Sequence, residues 1–379
     1  MEFVDFKIKE IAKVTAGGDK PKIVSNSYSD ETPIPIYSNG MENDGLYGYT
    51  NIPKVDADTV TISARGVNVG KVCYRETAFL PIVRLLSLIP NRSVINAKYM
   101  YYNLKMMNIS GTGSAQPQIT VPMISELKMH IHKDLIEQEK IASFLSVLDE
   151  KIKNNNRINR NLSEQAQAYF DELFIQNASA EWKEGTLSDV GSIVAGGTPF
   201  KSNQEYYTDN GIAWITPKDL SVDKSVFISH GENDITELGL QKSSATMMPA
   251  GTVLFSSRAP IGYIAIAAND ICTNQGFKSV VPNGNVGTSY VYYLLKQLLP
   301  TIENMASGST FKEISGSAMK IVPTVIPDDE TLKRFSDFCD PIMKQIWKNE
   351  QESKRLVELR DSLLPKLMSG DLDVSDLDI

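Results

Sequence analysis

Residues 141–173 read IASFLSVLDEKIKNNNRINRNLSEQAQAYFDEL. Positions 141, 145, 148, 152, 155, 159, 162, 166, 169 and 173 alternate by four and three and carry Ile, Leu, Leu, Ile, Asn, Asn, Leu, Ala, Tyr and Leu. Only the two asparagines interrupt an apolar seam of more than four heptads, so the stretch predicts one long helix with a partner along the seam. A second such stretch, FSDFCDPIMKQIWKNEQESKRLVELRDSLLPKL, occupies 335–367. Its seam is Phe335, Cys339, Ile342, Ile346, Asn349, Ser353, Leu356, Leu363 and Leu367, broken where Arg360 falls. That helix is expected from about 329 to 368, with Pro365 bending or ending it.

The two seams match at a constant offset of 194: Leu148 with Ile342, Ile152 with Ile346, Asn155 with Asn349, Asn159 with Ser353, Leu162 with Leu356. Polar residues therefore sit at the same two depths in both, where they set register and partner at some cost in stability. Two such helices are expected to pair with each other antiparallel. A helix of about 40 residues is roughly 60 Å long, close to two turns of B-DNA at about 34–36 Å per turn. Reading heads at the two ends of such a pair suit two short sequences separated by a gap.

Outward from the helices, the rest of the chain also repeats, and two copies of one unit are expected. Ala16-Gly17-Gly18 returns as Ala195-Gly196-Gly197, and TVTISARGVNVGKV at 59–72 resembles TVLFSSRAPIGYI at 252–264, which aligns Arg65 with Arg258. Gly113-Ser114 matches Gly308-Ser309, and Ile119-Thr120 matches Ile314-Ser315. Each copy opens with short β-branched or aromatic runs between Gly, Pro, Asn and Asp clusters, the pattern of strands and turns. These are IPIYSNG, TVTISARG, KVCYRE and VRLLSLIP in the first, and IAWITPKD, TVLFSSR, YIAIAA and FKSVVP in the second. An amphipathic helix follows at 97–107 and at 289–299, each with adjacent tyrosines, Tyr101-Tyr102 and Tyr292-Tyr293, placed as core.

The N-terminus lacks the basic-then-apolar pattern of a signal peptide, and no apolar run approaches the roughly 20 residues of a membrane span. A cytoplasmic protein is expected. Cys73, Cys272 and Cys339 match no metal spacing and read as buried thiols. His130 and His132 share a strand face but lack a ligand partner at metal spacing, so no metal is expected. The net charge of −8 counts against a non-specific nucleic-acid binder. It is uneven, at +3 over residues 1–133 and −5 over 328–379, where Asp371, Asp373, Asp376 and Asp378 lie in the tail.

Catalytic motifs do not emerge. Residues 66–72 place three residues between their glycines and Val where a phosphate loop needs Ser or Thr, and Gly111-Thr112-Gly113 lacks strand–turn–helix context. An Asn-Pro-Pro-aromatic motif of adenine methyltransferases is absent, and no nuclease-like acidic cluster with a Lys stands out. No catalytic residue is assigned.

With its duplicated units and long helices, the chain resembles the specificity subunits of type I restriction–modification systems. The resemblance rests on WKEGTLSDVGSIVAGGTPFK, WITPKDL, SSRAPIGYIAIA, TNQGFKSVVP and SGSTFKEIS in the second half. ISARGVNVGKV, GTGSAQPQIT and DLIEQEKIASFLSVLDEKI carry it in the first, with the ending LRDSLLPKLMSGDLDV. The chain departs at the second helix, which has DDETLKRF in place of the Glu137-Gln138 pair, and at PIYSNGMENDGLYGYT in place of the WITPKDL region. The resemblance implies an α+β fold of two similar, mainly-β target-recognition domains, separated by two long antiparallel helices as a coiled coil in a pseudo-twofold arrangement. The domains are expected at 1–134 and 179–327, the first spacer and dimerisation helix at 135–178, and the second with an acidic tail at 328–379.

The resemblance also implies double-stranded DNA as ligand, read as a bipartite target. Two methylation subunits are implied on the long helices, with restriction subunits in the full complex. S-adenosylmethionine, ATP and Mg²⁺ belong to those partners, and this chain carries no cofactor. Arg reads guanine and Asn or Gln reads adenine, while Lys, Ser and Thr fix position on phosphates. DNA-contacting candidates are Ser38, Asn39, Arg65, Asn68, Lys71, Thr112, Ser114, Gln116 and Gln118 in the first domain. The second offers Lys201, Thr216, Lys218, Ser257, Arg258, Asn274, Gln275, Ser309 and Lys312. Lys151, Lys153, Arg157 and Arg160 on the first helix are candidates for tracking the DNA backbone or a solvated face. Two other readings stay open: a fused methyltransferase or nuclease fragment, revealed by S-adenosylmethionine binding, and a solitary specificity-like scaffold, revealed by neighbouring genes.

Overall fold

The computed structural model describes residues 2–40, 42–112, 117–308 and 312–372. The chain divides into two compact units, Met1–Ile152 with Lys354–Ile379, and Lys153–Ser353. Each unit contains a strand-rich domain and a stretch of both long helices, Leu135–Asp171 and Asp329–Ser369.

The units repeat one element order. In the first, Phe3–Lys7 pairs antiparallel with Lys128–His132, and the short helix Ile8–Ile11 leads into Ala12–Ala16. That strand heads a four-stranded sheet with Leu86–Pro90, Thr59–Ile62 and Val72–Arg75, in that order. In the second, Lys183–Thr186 pairs with Pro323–Ile326, the short helix Leu187–Val190 follows, and Gly191–Ala195 heads a five-stranded sheet. The register is shared too: Ala12 to Ala16 face Pro90 to Leu86, and Gly191 to Ala195 face Pro282 to Lys278. A smaller sheet completes each domain, three-stranded around Ile34–Tyr37 and four-stranded around Ile212–Ile215.

Helices differ from expectation where burial overrides a local breaker. The helix expected at 289–299 runs Thr288–Met305 straight through Pro300, because Ile302 beyond the proline is fully buried in the second unit's core. Likewise Pro365 does not end the last helix, since Leu364, Leu367 and Met368 on either side of it are anchored in the first unit's core. The helix expected at 97–107 spans Ala97–Met106. Tyr102, Tyr292 and Tyr293 are core residues, whereas Tyr101 is half-buried. Cys272 and Cys339 are buried but Cys73 is only half-buried.

Within the second unit the long helices meet along the asparagines. Asn349 Nδ2 donates to Asn159 Oδ1 at 2.7 Å, and Asn159 Nδ2 to the Ile346 carbonyl at 3.2 Å. Asn155 Nδ2 donates to Ser353 Oγ at 3.3 Å and Glu352 Oε2 at 2.8 Å. Rising numbers on one helix meet falling numbers on the other, so the pairing is antiparallel. Ile346 is buried here, with Leu162 and Ile342 packed alongside. Leu148, Ile152 and Leu356 are half-buried. Within the first unit, Ile141, Ala142 and Leu145 pack with Leu364, Leu367 and Met368. The start of the first long helix is locked by buried Gln138, which donates to the His132 carbonyl at 2.7 Å and accepts from the Asn96 N–H at 2.8 Å. Position 332 of the second copy holds buried Leu332 instead.

No helix among the described residues is long and apolar enough to cross a membrane.

Candidate nucleic-acid interface

In the first domain the strand Thr59–Ile62 continues through buried Ser63 and Ala64 into Arg65. The Gly70 N–H donates to the Ser63 carbonyl at 2.9 Å and the Ser63 N–H to the Lys71 carbonyl at 3.0 Å, closing a tight turn. Gly70 is needed there twice over: its φ is +87°, and a Cβ would lie 2.0 Å from the Ile109 carbonyl oxygen. The Ile119 N–H then donates to the Ala64 carbonyl at 2.8 Å, and Thr112 and Gln118 exchange backbone bonds of 3.1 and 3.0 Å. This pinches a loop at its base, directly beside Arg65.

The second domain builds the same platform. The Ile314 N–H donates to the Ser257 carbonyl at 3.1 Å, and Ser307 and Glu313 exchange bonds of 3.1 and 2.9 Å beside Arg258. The aligned arginines therefore occupy equivalent places, each one residue past the carbonyl that receives the loop.

Several candidates of the first domain hold this platform together. Asn39 Nδ2 donates to the Val83 carbonyl at 2.7 Å while its Oδ1 accepts the Ala64 N–H at 2.8 Å. Asn68 Nδ2 donates to the Gly40 carbonyl at 2.8 Å, and the Ser38 hydroxyl accepts the Gly40 N–H at 3.3 Å. Lys71 lies 2.8 Å from Asp44. Arg65 and Gln118 instead line an open cleft of about 180 Å³ together with Arg84. Thr112 is exposed at the loop base.

In the second domain Ser257 is a correction to the outward-facing reading. It is fully buried, and its hydroxyl donates to the Gly276 carbonyl at 3.0 Å, because the strand Val253–Ser257 stays inside the sheet to its last residue. Thr216, at the start of the helix Pro217–Val222, donates its N–H and its hydroxyl to Asp219 Oδ2 at 2.7 and 2.6 Å. Asn274 Oδ1 accepts the Gly276 N–H at 2.8 Å, and its own N–H reaches the Ile215 carbonyl at 2.9 Å, which sets it beside Thr216. Exposed Gln275 accepts the Thr198 hydroxyl, tying in the loop that carries exposed Phe200 and Lys201. Lys218 pairs with Glu232 at 2.6 Å, and Lys312 is exposed. Arg258 Nη1 lies 3.4 Å from Glu313 Oε2, and Lys278 Nζ 3.7 Å from Glu313 Oε1. Burial lowers the Lys278 ammonium below the usual lysine value, against the pull of Glu313.

Ser114, Gln116 and Ser309 lie outside the described residues, as do Asp373, Asp376 and Asp378. Lys151, Lys153, Arg157 and Arg160 are exposed on the first long helix. No group of His, Cys, Asp and Glu fit to hold a metal occurs among the described residues. His130 instead contacts Asp5 at 2.7 Å and stacks on Phe3. Sequence reasoning missed Arg84, because the internal repeat offers no second arginine there: the equivalent position in the second domain's strand register is Gly276.

The family described as "Type I restriction modification DNA specificity domain" matches residues 1–164 and 179–358. The Type I restriction enzyme MjaIX specificity subunit of Methanocaldococcus jannaschii is 38% identical over 196 residues, 50% of this chain and 45% of that subunit, so this match spans less than half of the relative. The HindI specificity subunit of Haemophilus influenzae is 25% identical over 75% of this chain and 79% of its own length. The EcoR124I/EcoR124II specificity subunit of Escherichia coli is 24% identical over 89% and 81% respectively. In fold, the crystal structure of a type I restriction–modification S subunit from M. genitalium superposes with a TM-score of 0.66 at 17% identity, covering 97% of this chain and 96% of that one. With the family matched across both copies of the repeat, and the fold shared along the chain, this protein belongs to the type I restriction–modification specificity family.

Proposed function

We propose that the chain is the non-catalytic DNA-reading subunit of a type I restriction–modification complex. Each strand-rich domain reads one part of a bipartite duplex target, and the long helices dock two methylation subunits. Those subunits bring S-adenosylmethionine, and restriction subunits bring ATP- and Mg²⁺-dependent chemistry. The observation that carries the reading is the duplicated platform: in both domains an arginine emerges beside a loop pinched by paired backbone bonds. A hydrogen-bonded frame that presents a guanidinium suits readout of base edges and phosphates.

Co-expression with the methylation subunits, followed by single-molecule sequencing of methylated adenines, tests it. The expected result is methylation confined to a two-part motif with a gap of fixed length. Methylation scattered without a motif, or unchanged when this chain is omitted, overturns the reading.

A further inference from the structure

The two domains differ in how their basic groups are balanced. In the second, one carboxylate, Glu313, faces both Arg258 and Lys278. In the first, the residue at the matching loop base is Gln118, which carries no charge. Arg65 and Arg84 line one cleft with it, and neither guanidinium meets a carboxylate or any other hydrogen-bond partner among the described residues. No acidic residue lines that cleft.

Arg84 is held in place by its backbone rather than by its side chain. Val83 and Arg84 adopt φ of +54° and +60°, a conformation L side chains rarely take. Three bonds fix it: Val83 N–H to the Gly18 carbonyl at 2.9 Å, Arg84 N–H to the Gly17 carbonyl at 3.0 Å, and Asn39 Nδ2 to the Val83 carbonyl at 2.7 Å. Gly17 admits this approach because a Cβ there would lie 2.7 Å from the Pro81 carbonyl carbon. Two like charges converging on one concavity repel unless an anion lies between them.

We propose that the Arg65–Arg84 cleft of the first domain is an anion subsite that takes one backbone phosphate of the DNA duplex. The inference rests on the DNA-reading function proposed above. A phosphate offers oxygens to both guanidiniums at once, and bidentate arginine contacts suit its geometry. Gln118 adds an amide donor from the cleft wall. The second domain lacks this subsite, because Glu313 already neutralises its arginine.

The test uses the full chain assembled with its methylation subunits and a fluorescent random-sequence duplex, with affinity measured across a KCl series. Wild-type binding sets the salt slope, and failure to bind at all sinks the parent reading rather than this one. With Arg65→Gln and Arg84→Gln together, the slope is expected to flatten by about 0.9, one phosphate's worth of released counterions. Affinity is expected to drop roughly tenfold, alike on all sequences. The two single variants are expected to be non-additive, each losing most of the effect. Arg65→Lys with Arg84→Lys retains the slope if charge is what matters and the domain stays folded. An unchanged slope in the double glutamine variant overturns the proposal. So does a preserved slope with a changed base preference at one target position, the signature of base reading.

Discussion

Arg360 places its Nη1 2.6 Å from Asp149 Oδ1, in the gap that a polar residue leaves in the second seam. The same carboxylate accepts the Tyr102 hydroxyl on Oδ2 at 2.8 Å. Arg360 Nη2 also lies 2.7 Å from Asp361 Oδ1, so the break in the apolar pattern is a polar joint between both long helices and the helix Ala97–Met106. The Arg360 and Asp149 side chains are largely sheltered, at 11% and 26% exposure. Truncating Arg360 to Ala leaves Asp149 sheltered without its counter-charge, and is expected to cost about 2–3 kcal/mol. Urea unfolding of Arg360→Ala against wild type checks it, and Arg360→Lys is expected to recover part of the loss.

The asparagine joint behaves differently from a lone buried polar group. Asn349→Leu removes the donor that Asn159 Oδ1 receives, and is expected to destabilise by roughly 1–2 kcal/mol. Replacing both, Asn159→Leu with Asn349→Leu, removes the unmet acceptor and is expected to regain that loss or exceed it. A double-mutant cycle by thermal or urea unfolding measures the coupling. Independent, additive losses contradict the joint.

Glu350 accepts the N–H groups of Val226 and Phe227 at 2.7 and 3.2 Å, yet burial pushes its carboxyl up to about 7. The unfolded chain releases this proton near 4.5, whereas the folded chain keeps it to about 7. The folded state therefore binds the extra proton between those values. Its contribution is complete below about pH 4.5 and is lost as pH rises to about 7, by about 3 kcal/mol. Glu350→Gln is expected to flatten that part of the pH–stability profile. The urea midpoint, followed from pH 4.5 to 8 in both proteins, checks it.

Glu313→Gln gives the second domain the residue type that the first carries at Gln118. It frees Arg258 and Lys278 from their shared carboxylate. Binding of the assembled complex to random-sequence duplex is expected to tighten severalfold and its salt slope to steepen by up to about 1. Anisotropy titrations at 50 and 200 mM KCl read both changes.

The frame was legible in the sequence where a period or a repeat carried it. The heptad spacing exposed both long helices, and Asn155, Asn159 and Asn349 marked their polar joint because the interruptions recur at one offset. Individual contacts without a repeat partner stayed hidden. Arg360 read as a flaw because its partner, Asp149, lies 211 residues away off the apolar seam. Ser257 read as loop chemistry, but a strand continuing one residue further turns its hydroxyl inward. Pro300 lies inside the helix Thr288–Met305 and Pro365 inside Asp329–Ser369, because long-range burial of Ile302 and Leu367 outweighs the local cost of each proline. Arg84 escaped notice because only the left-handed turn at Val83 brings it into the Arg65 cleft.

The first unit's core includes Leu364, Leu367 and Met368 beside Ile141, Ala142 and Leu145. A ribosome completes residue 152 long before it reaches those three. At about 5–20 residues per second, that wait is roughly ten to forty seconds. During it the amino-terminal half carries an open seam, attractive to chaperones or to the same seam on a neighbouring nascent chain. Assembly on polysomes is thus exposed to swapped pairings, and a gene split between the two copies would yield halves that each need the other's helix to finish folding.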